Sequence, residues 1–126
     1  MAPCQTQAVR LTVWMDHWQM DCCGTPFDTG ATVAWRLRPA TDLDWLSTAL
    51  PGTAAVDAVE DHHGGDTPPT TGTVLSIATL HCRHDGRIVP GSGILTPVPR
   101  AGKWTGDLGD RHFAGFLIQL DTAPAA

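Results

Sequence analysis

Short stretches in which apolar and polar residues alternate recur along this chain, and turn-forming residues separate them. The clearest runs over 32–38, where Val33, Trp35 and Leu37 share one face of a strand and two arginines share the other. Thirteen glycines and ten prolines interrupt such runs, which favours short strands over long helices. An Asp-Gly pair at 85–86 predicts a tight hairpin. The predicted strands span residues 9–14, 31–38, 73–83, 87–90 and 113–120.

Residues 41–63 show helical spacing instead. Leu43, Leu46 and Leu50 recur at helical intervals before a Pro-Gly pair, and a second short helix is predicted over 53–61. The expected fold class is therefore mainly β (α+β), with a small curved sheet or SH3-like barrel and a short helical insertion around residues 41–63. The likeness to small barrels concerns architecture and predicts no function by itself.

The length and charge of the chain limit its class. Its 126 residues fit a single domain, 1–126, with residues 1–8 as a disordered tail. Eight basic and 13 acidic residues give a formal net charge of −5, and Lys103 and Glu60 are the sole lysine and glutamate. An acidic surface disfavours nucleic-acid binding. No apolar stretch has the length of a signal-peptide core or a membrane span, so we expect a cytoplasmic location and no membrane partner.

Thiol and imidazole side chains fall in three separated segments of the sequence, and these groups are preferred ligands of zinc. Along a regular strand Cys82 and His84 share a face, while His81 points away. A tetrahedral site would take one cysteine of an adjacent pair, one histidine of another pair, Cys82 and one further member. With zinc as the candidate cofactor, the candidate ligands are Cys22, Cys23, His62, His63, Cys82 and His84.

Two other interpretations of these residues stay open. Cysteines also pack as small apolar residues, and paired histidines suit the C-terminal end of a helix, where a cation stabilises the dipole. A cysteine beside a histidine is also a candidate nucleophile, with Asp16 or Asp61 orienting the imidazole.

Because Cys22 and Cys23 are adjacent, a bond between them would close a strained ring, and a cytoplasmic protein keeps its thiols reduced. We therefore expect no disulfide between these two residues.

Five tryptophans and no tyrosine are present. Trp14, Trp35 and Trp45 fit the expected core, because each lies in a run with strand or helix periodicity. Trp18 and Trp104 lie in loop-like sequence, where exposure would make them contact residues. Core packing is the prediction for these two as well.

Eight segments form a recognisable set: Thr12–Trp14, Trp18-Gln19, Cys22–Gly24, Pro26-Phe27, Gly30–Trp35, His62–Gly65, His81–Arg83 and Pro90–Pro97. Together they resemble a known family of small proteins from high-GC actinobacteria, catalogued only as a domain of unknown function. The similarity extends over nearly the whole chain after residue 10. It implies a single intact domain, and it brings no known activity, cofactor or site to this chain.

These observations favour a small non-enzymatic binding or regulatory β-domain with one structural zinc, whose partner is a protein or a small molecule. The alternative is a metal- or Cys-dependent enzyme. An open coordination position in a cleft would favour the enzyme, whereas a closed site with four ligands, or no site, would favour the binding domain.

Overall fold

The computed structural model describes residues 9–41, 43–52, 55–61 and 66–122, and it is mainly β. Within these ranges no helix is long and apolar enough to span a membrane. The predicted tail, residues 1–8, lies outside the described residues. In chain order the elements are β1 (Val9–Asp16), α1 (His17–Cys22), β2 (Phe27–Asp28), β3 (Thr32–Trp35), β4 (Leu37–Pro39), α2 (Asp44–Ala49), β5 (Ala58–Glu60), β6 (Thr70–Cys82), β7 (Ile94–Val98), β8 (Arg100–Ala101) and β9 (His112–Thr122).

The main sheet curls until its two ends meet. Its strand order is β3-β6-β9-β1-β5-β4, and β7 pairs with a later part of β6. β3 and β4 lie at opposite ends of this order, yet only Arg36 separates them along the chain. A flat sheet would hold them roughly 24 Å apart at the usual strand spacing, and one linking residue spans about 7 Å. The sheet is therefore a curled half-barrel.

Apolar side chains from alternate positions fill the inner face of the half-barrel. In β1, Val13 lies opposite Ile118 and Met15 lies opposite Phe116, both partners belonging to β9. Burying each of these large side chains contributes about 1.5–3 kcal/mol. Side chains from both β3 and β4 pack against this cluster, so the sheet curls toward this face. The buried inner cluster is Val13, Met15, Met20, Phe27, Val74, Ile77, Ala101, Phe116, Ile118 and Leu120.

A second, smaller cluster lies on the outer face, where α2 covers the sheet. Trp14 is fully buried there with Leu46 of α2, and its ring meets that of Trp45 edge-on, with centroids 5.3 Å apart. Gly115 of β9 makes room for this packing, because a Cβ atom there would collide with the carbonyl oxygen of Met15 and the ring of Trp14. The residues at 13–15 are all apolar because both faces of β1 are buried there.

The predicted mainly β fold is confirmed, and four of the five predicted strands lie close to where they are observed. The strand predicted over 31–38 is divided at Arg36 into β3 and β4, which lie at opposite ends of the strand order. The first predicted helix is present as α2, which begins at Asp44 with Leu43 at its N-cap. The sequence interpretation missed α1, because its six residues lie directly after a strand and show little helical periodicity.

Two predicted elements are wrong. The helix predicted over 53–61 is replaced at its end by strand β5, because Val59 packs in the outer cluster as a neighbour of Trp14 in a parallel pair. The strand predicted over 87–90 is reduced to an isolated bridge between His84 and Ile88. The Asp-Gly turn itself is present, and across it the backbone N–H of Val89 donates to the carbonyl oxygen of Arg83 at 3.0 Å.

The tryptophans divide between core and surface. Trp14 is fully buried, whereas Trp35, which was predicted to lie in the core, is half-buried against the inner cluster. The prediction that Trp18 and Trp104 pack in the core is wrong, because they are 45% and 75% exposed. Both lie outside the alternating apolar pattern that the sheet buries.

Candidate functional site

The inner face of the half-barrel carries a cavity of about 610 Å3, which we call the inner cleft. Its walls come from the loop after α1, from β2 and β3, and from the end of β5. Its lining includes Met15, Phe27, Trp35, Glu60 and Asp61. Cavities of this volume commonly hold small molecules.

Two strand pairings bring Glu60 into the inner cleft. β5 runs parallel to β1, with Val59 opposite Trp14, and antiparallel to β4, with Glu60 opposite Leu37. Because side chains alternate along a strand, Val59 faces the outer cluster and Glu60 faces inward with Leu37. Glu60 is only 3% exposed, although it is charged in its usual state.

Aromatic rings form one wall of the inner cleft. The rings of Phe27 and Trp35 meet edge to face, with centroids 4.9 Å apart. Phe27 also contacts Phe116 of the inner cluster, at a centroid distance of 6.3 Å. The wall is therefore fixed from behind by the core, and both residues line the cavity with apolar surface.

Arginines hold the aspartates of the inner cleft. Oδ1 of Asp28 accepts a hydrogen bond from Nη1 of Arg100 at 2.9 Å. Oδ2 of Asp61 lies 3.7 Å from Nε of Arg38. These two acidic groups thus have a counter-charge at the rim of the cavity.

Glu60 has no arginine partner of this kind among the described residues. Its side chain makes no hydrogen bond or ion pair with any residue that the structure describes. The exposed guanidinium of Arg36 is directed elsewhere and donates from Nε to the carbonyl oxygen of Thr67 at 3.2 Å. Burial raises the pKa of the Glu60 carboxyl to about 7, and the carboxylate of Asp61 contributes to the rise. A buried ionisable group with a perturbed pKa inside a cavity is typical of a functional site.

The opposite face of the sheet carries a second cavity of about 450 Å3, which we call the outer pocket. Its lining includes Cys82, His84, His17 and His112. Cys82 and His112 are partners in the β6–β9 ladder. Nδ1 of His112 lies 3.1 Å from Oδ2 of Asp107. The outer pocket thus collects the residue types of a nucleophilic site: a thiol, imidazoles and the carboxylate of Asp16. Oδ1 of Asp16 accepts a hydrogen bond from Nε1 of Trp14 at 2.7 Å, and Asp61, the other aspartate considered from the sequence, lines the inner cleft instead.

The electrostatics of the outer pocket do not activate this thiol. Burial raises the pKa of Cys82, which favours the protonated form over the nucleophilic thiolate. A hydrogen bond from the backbone N–H of Phe113, followed by the one with His112, lowers the pKa of Asp107. The carboxylate is therefore stabilised as a structural partner of this turn.

The predicted zinc ligands fall in different places. Cys22 and Cys23 are joined by a disulfide at the C-terminal end of α1, so the prediction that they form no such bond is wrong. Their adjacency, where the helix ends, brings the two sulfurs together. His62 and His63 lie outside the described residues.

Cys82 and His84 line the outer pocket together, and His81 lies against Phe113 with its Nε2 2.8 Å from the carbonyl oxygen of Gly106. No group of three or more potential metal ligands is assembled among the residues that the structure describes. The zinc site stays a prediction.

Sequence reasoning missed Glu60, the residue that the structure places most unusually. The segment was interpreted as a helix, in which Glu60 would be an ordinary surface residue. One signal was present: the sole glutamate of the chain directly follows Ala58 and Val59, a short apolar run that also fits a buried strand.

The fold and the inner cleft define a small, mainly β domain with a ligand-sized cavity on the inner face of a half-barrel. The chain belongs to the Family of unknown function (DUF6578), whose sequence model matches residues 9–122. No curated protein and no solved structure matched the chain. Family membership confirms the resemblance to a domain of unknown function, whereas the actinobacterial source stays a prediction.

Proposed function

We propose that this protein is a non-enzymatic binding module, and that a small molecule occupies the inner cleft and contacts Glu60. One observation carries the proposal: a glutamate that is 3% exposed lines a cavity of about 610 Å3, and its carboxyl group has no polar partner among the described residues. Burying such a group is unfavourable unless something compensates it. A ligand that supplies a hydrogen bond or a charge would provide that compensation.

The outer pocket supports the alternative, a Cys-dependent enzyme, less well. Cys82, three histidines and Asp16 line it, which is the composition of a nucleophilic site. The raised pKa of Cys82 works against thiolate formation, however, and a catalytic cysteine requires the opposite shift.

A structural zinc and a cytoplasmic location are also proposals. The structure joins the sulfurs of Cys22 and Cys23, so these two candidate ligands would bind zinc only in their reduced form. Elemental analysis of protein purified without an affinity tag tests the zinc, and about one zinc per chain would support it.

A fragment screen followed by two-dimensional NMR tests the binding proposal. We expect hits that shift the resonances of Glu60, Phe27 and the Trp35 indole. Hits confined to the outer pocket, or a screen without any hit, would contradict the proposal.

A matched pair of variants locates the site without disturbing the core. Thr25 is an exposed loop residue that lines the inner cleft, and Thr29 is an exposed residue nearby that does not line it. We expect Thr25→Trp to weaken binding of the hits at least tenfold and Thr29→Trp to leave it unchanged. Equal effects of the two variants would place the ligand elsewhere.

A further inference from the structure

Resting on the proposed function, we infer that the ligand of the inner cleft is an organic cation, an amine whose charged nitrogen contacts the Glu60 carboxylate and whose apolar body lies on the Phe27–Trp35 wall. Three features favour an organic cation: the charge left uncompensated at Glu60, the chemistry of the wall, and the proton that Glu60 exchanges.

The distribution of charge selects a cation over an anion. Asp28 and Asp61 already have arginine partners, and those arginines are directed toward these carboxylates. The charged group that acts on Glu60 is Asp61, and it has the same sign. An anionic ligand would add a third negative charge beside these two, whereas a cation would stabilise Glu60 in its ionised form.

The aromatic wall suits the same ligand. The face of a tryptophan or phenylalanine ring carries negative partial charge, which attracts ammonium groups within about 6 Å of its centre. Phe27 is 5% exposed and Trp35 is half-buried, so the wall is largely desolvated. Met15 adds a polarisable apolar surface next to it. A wholly inorganic cation would leave this surface unused.

Binding of a cation is coupled to loss of a proton from Glu60. Its carboxyl has a pKa of about 7, so its ionised fraction rises roughly tenfold between pH 6 and pH 8. The other charged side chains in or beside the cleft are Asp28, Asp61, Arg36, Arg38 and Arg100, and no described lining residue is a histidine. The affinity for an amine that keeps its charge over this range therefore increases with pH.

Three probes of similar shape test the ligand class: phenethylammonium, the neutral 2-phenylethanol and the anionic 3-phenylpropanoate. We expect phenethylammonium to bind at least tenfold more tightly than the other two at pH 8, in NMR titrations that follow the Trp35 indole. Its affinity should fall roughly tenfold at pH 6. Preferential binding of the neutral or the anionic probe would overturn the inference.

Two charge-neutralising variants distinguish the contribution of the Glu60 carboxylate from that of another carboxylate in the cleft. We expect Glu60→Gln to remove both the preference for phenethylammonium and its pH dependence, while Asp28→Asn keeps them; thermal melts verify that each variant is folded. Equal losses in both variants would overturn the inference. Fragments that bind in the cleft without a preference for cations would leave the proposed function standing and refute only the ligand class. No binding in the cleft by any compound would refute both.

Discussion

The two faces of one sheet hold their polar groups in opposite ways. In the inner cleft a single carboxyl, Glu60, is enclosed by apolar side chains and left without a described partner. In the outer pocket two of the imidazoles have carboxylate partners: Nδ1 of His112 lies 3.1 Å from Oδ2 of Asp107, and Nδ1 of His17 lies 3.6 Å from Oδ2 of Asp21. The outer pocket has more residues of catalytic type, but these two histidines are already paired. We therefore rank the inner cleft above the outer pocket as a candidate site, because burial there leaves an ionisable group uncompensated.

The largest expected effect is on the free energy of unfolding, and it distinguishes Trp14 on the outer face from Trp35 in the wall of the inner cleft. We expect Trp14→Ala to lower the free energy of unfolding by about 3–5 kcal/mol, because it empties a fully buried site. It also removes the hydrogen bond from Nε1 to Asp16. Trp35→Ala should cost about 1–2 kcal/mol, because its ring is half-buried. Urea unfolding measures both, and equal losses would break the distinction between the two faces.

The next effect concerns the pH dependence of stability. The pKa of Glu60 is raised on folding from 4.5 to about 7, so the folded protein binds its proton more tightly than the unfolded chain does. Stability contributed by this group is therefore fully present below pH 4.5, falls as the pH rises, and levels off above about pH 7. We expect Glu60→Gln to be more stable than wild type at pH 8, by about 2–3 kcal/mol.

Urea unfolding at pH 5 and pH 8 measures this difference. The advantage of Glu60→Gln should shrink strongly at pH 5, where the folded wild type keeps its proton. An advantage that is the same at both pH values would show that Glu60 is not strained by its burial. Asp28→Asn is the control, since its carboxylate is exposed and has an arginine partner.

The smallest expected effect concerns Cys82, and it tests whether the thiol of the outer pocket is unreactive. We expect Cys82→Ala to cost about 1 kcal/mol, as for a small buried side chain. In a Cys4→Ser background, the Cys82 thiol should react slowly with a disulfide reagent at pH 7 and rapidly in urea, because burial raises its pKa and restricts access. Rapid reaction of the folded protein would favour the enzyme over the binding module.

The sequence predicted the parts of the fold that depend on local pattern. Alternation identified β1, β6 and β9, because one or both faces of each strand are buried along most of its length. It failed at β5, where three residues are too few to distinguish a strand from a helix end. Val59 is held by Trp14, which lies 45 residues earlier in the chain. Pairings of this kind leave no periodic signal near the residues that make them.

Even less of the candidate site than of the fold could be predicted from the sequence. The zinc hypothesis was built on residue types, and the structure places Cys82 and His84 together but joins Cys22 to Cys23 instead. Glu60 carries no motif. Its unusual state arises from the meeting of β4, β5 and the loop after α1, and so depends on how distant segments fold together.

The pairing of β1 with β9 has a consequence for how the chain acquires its structure. The first described strand and the last are neighbours in the middle of the sheet, with Val9 opposite Thr122 and Asp16 opposite Gly115. During synthesis on the ribosome, β1 emerges long before its antiparallel partner, so its apolar residues stay without their final neighbours until the chain is nearly complete. Such non-local pairing slows folding into the millisecond-to-second range, as for other sheets of high contact order. We expect a nascent chain that stops before residue 112 to lack not an edge but the centre of its sheet, and to need protection from aggregation until β9 arrives.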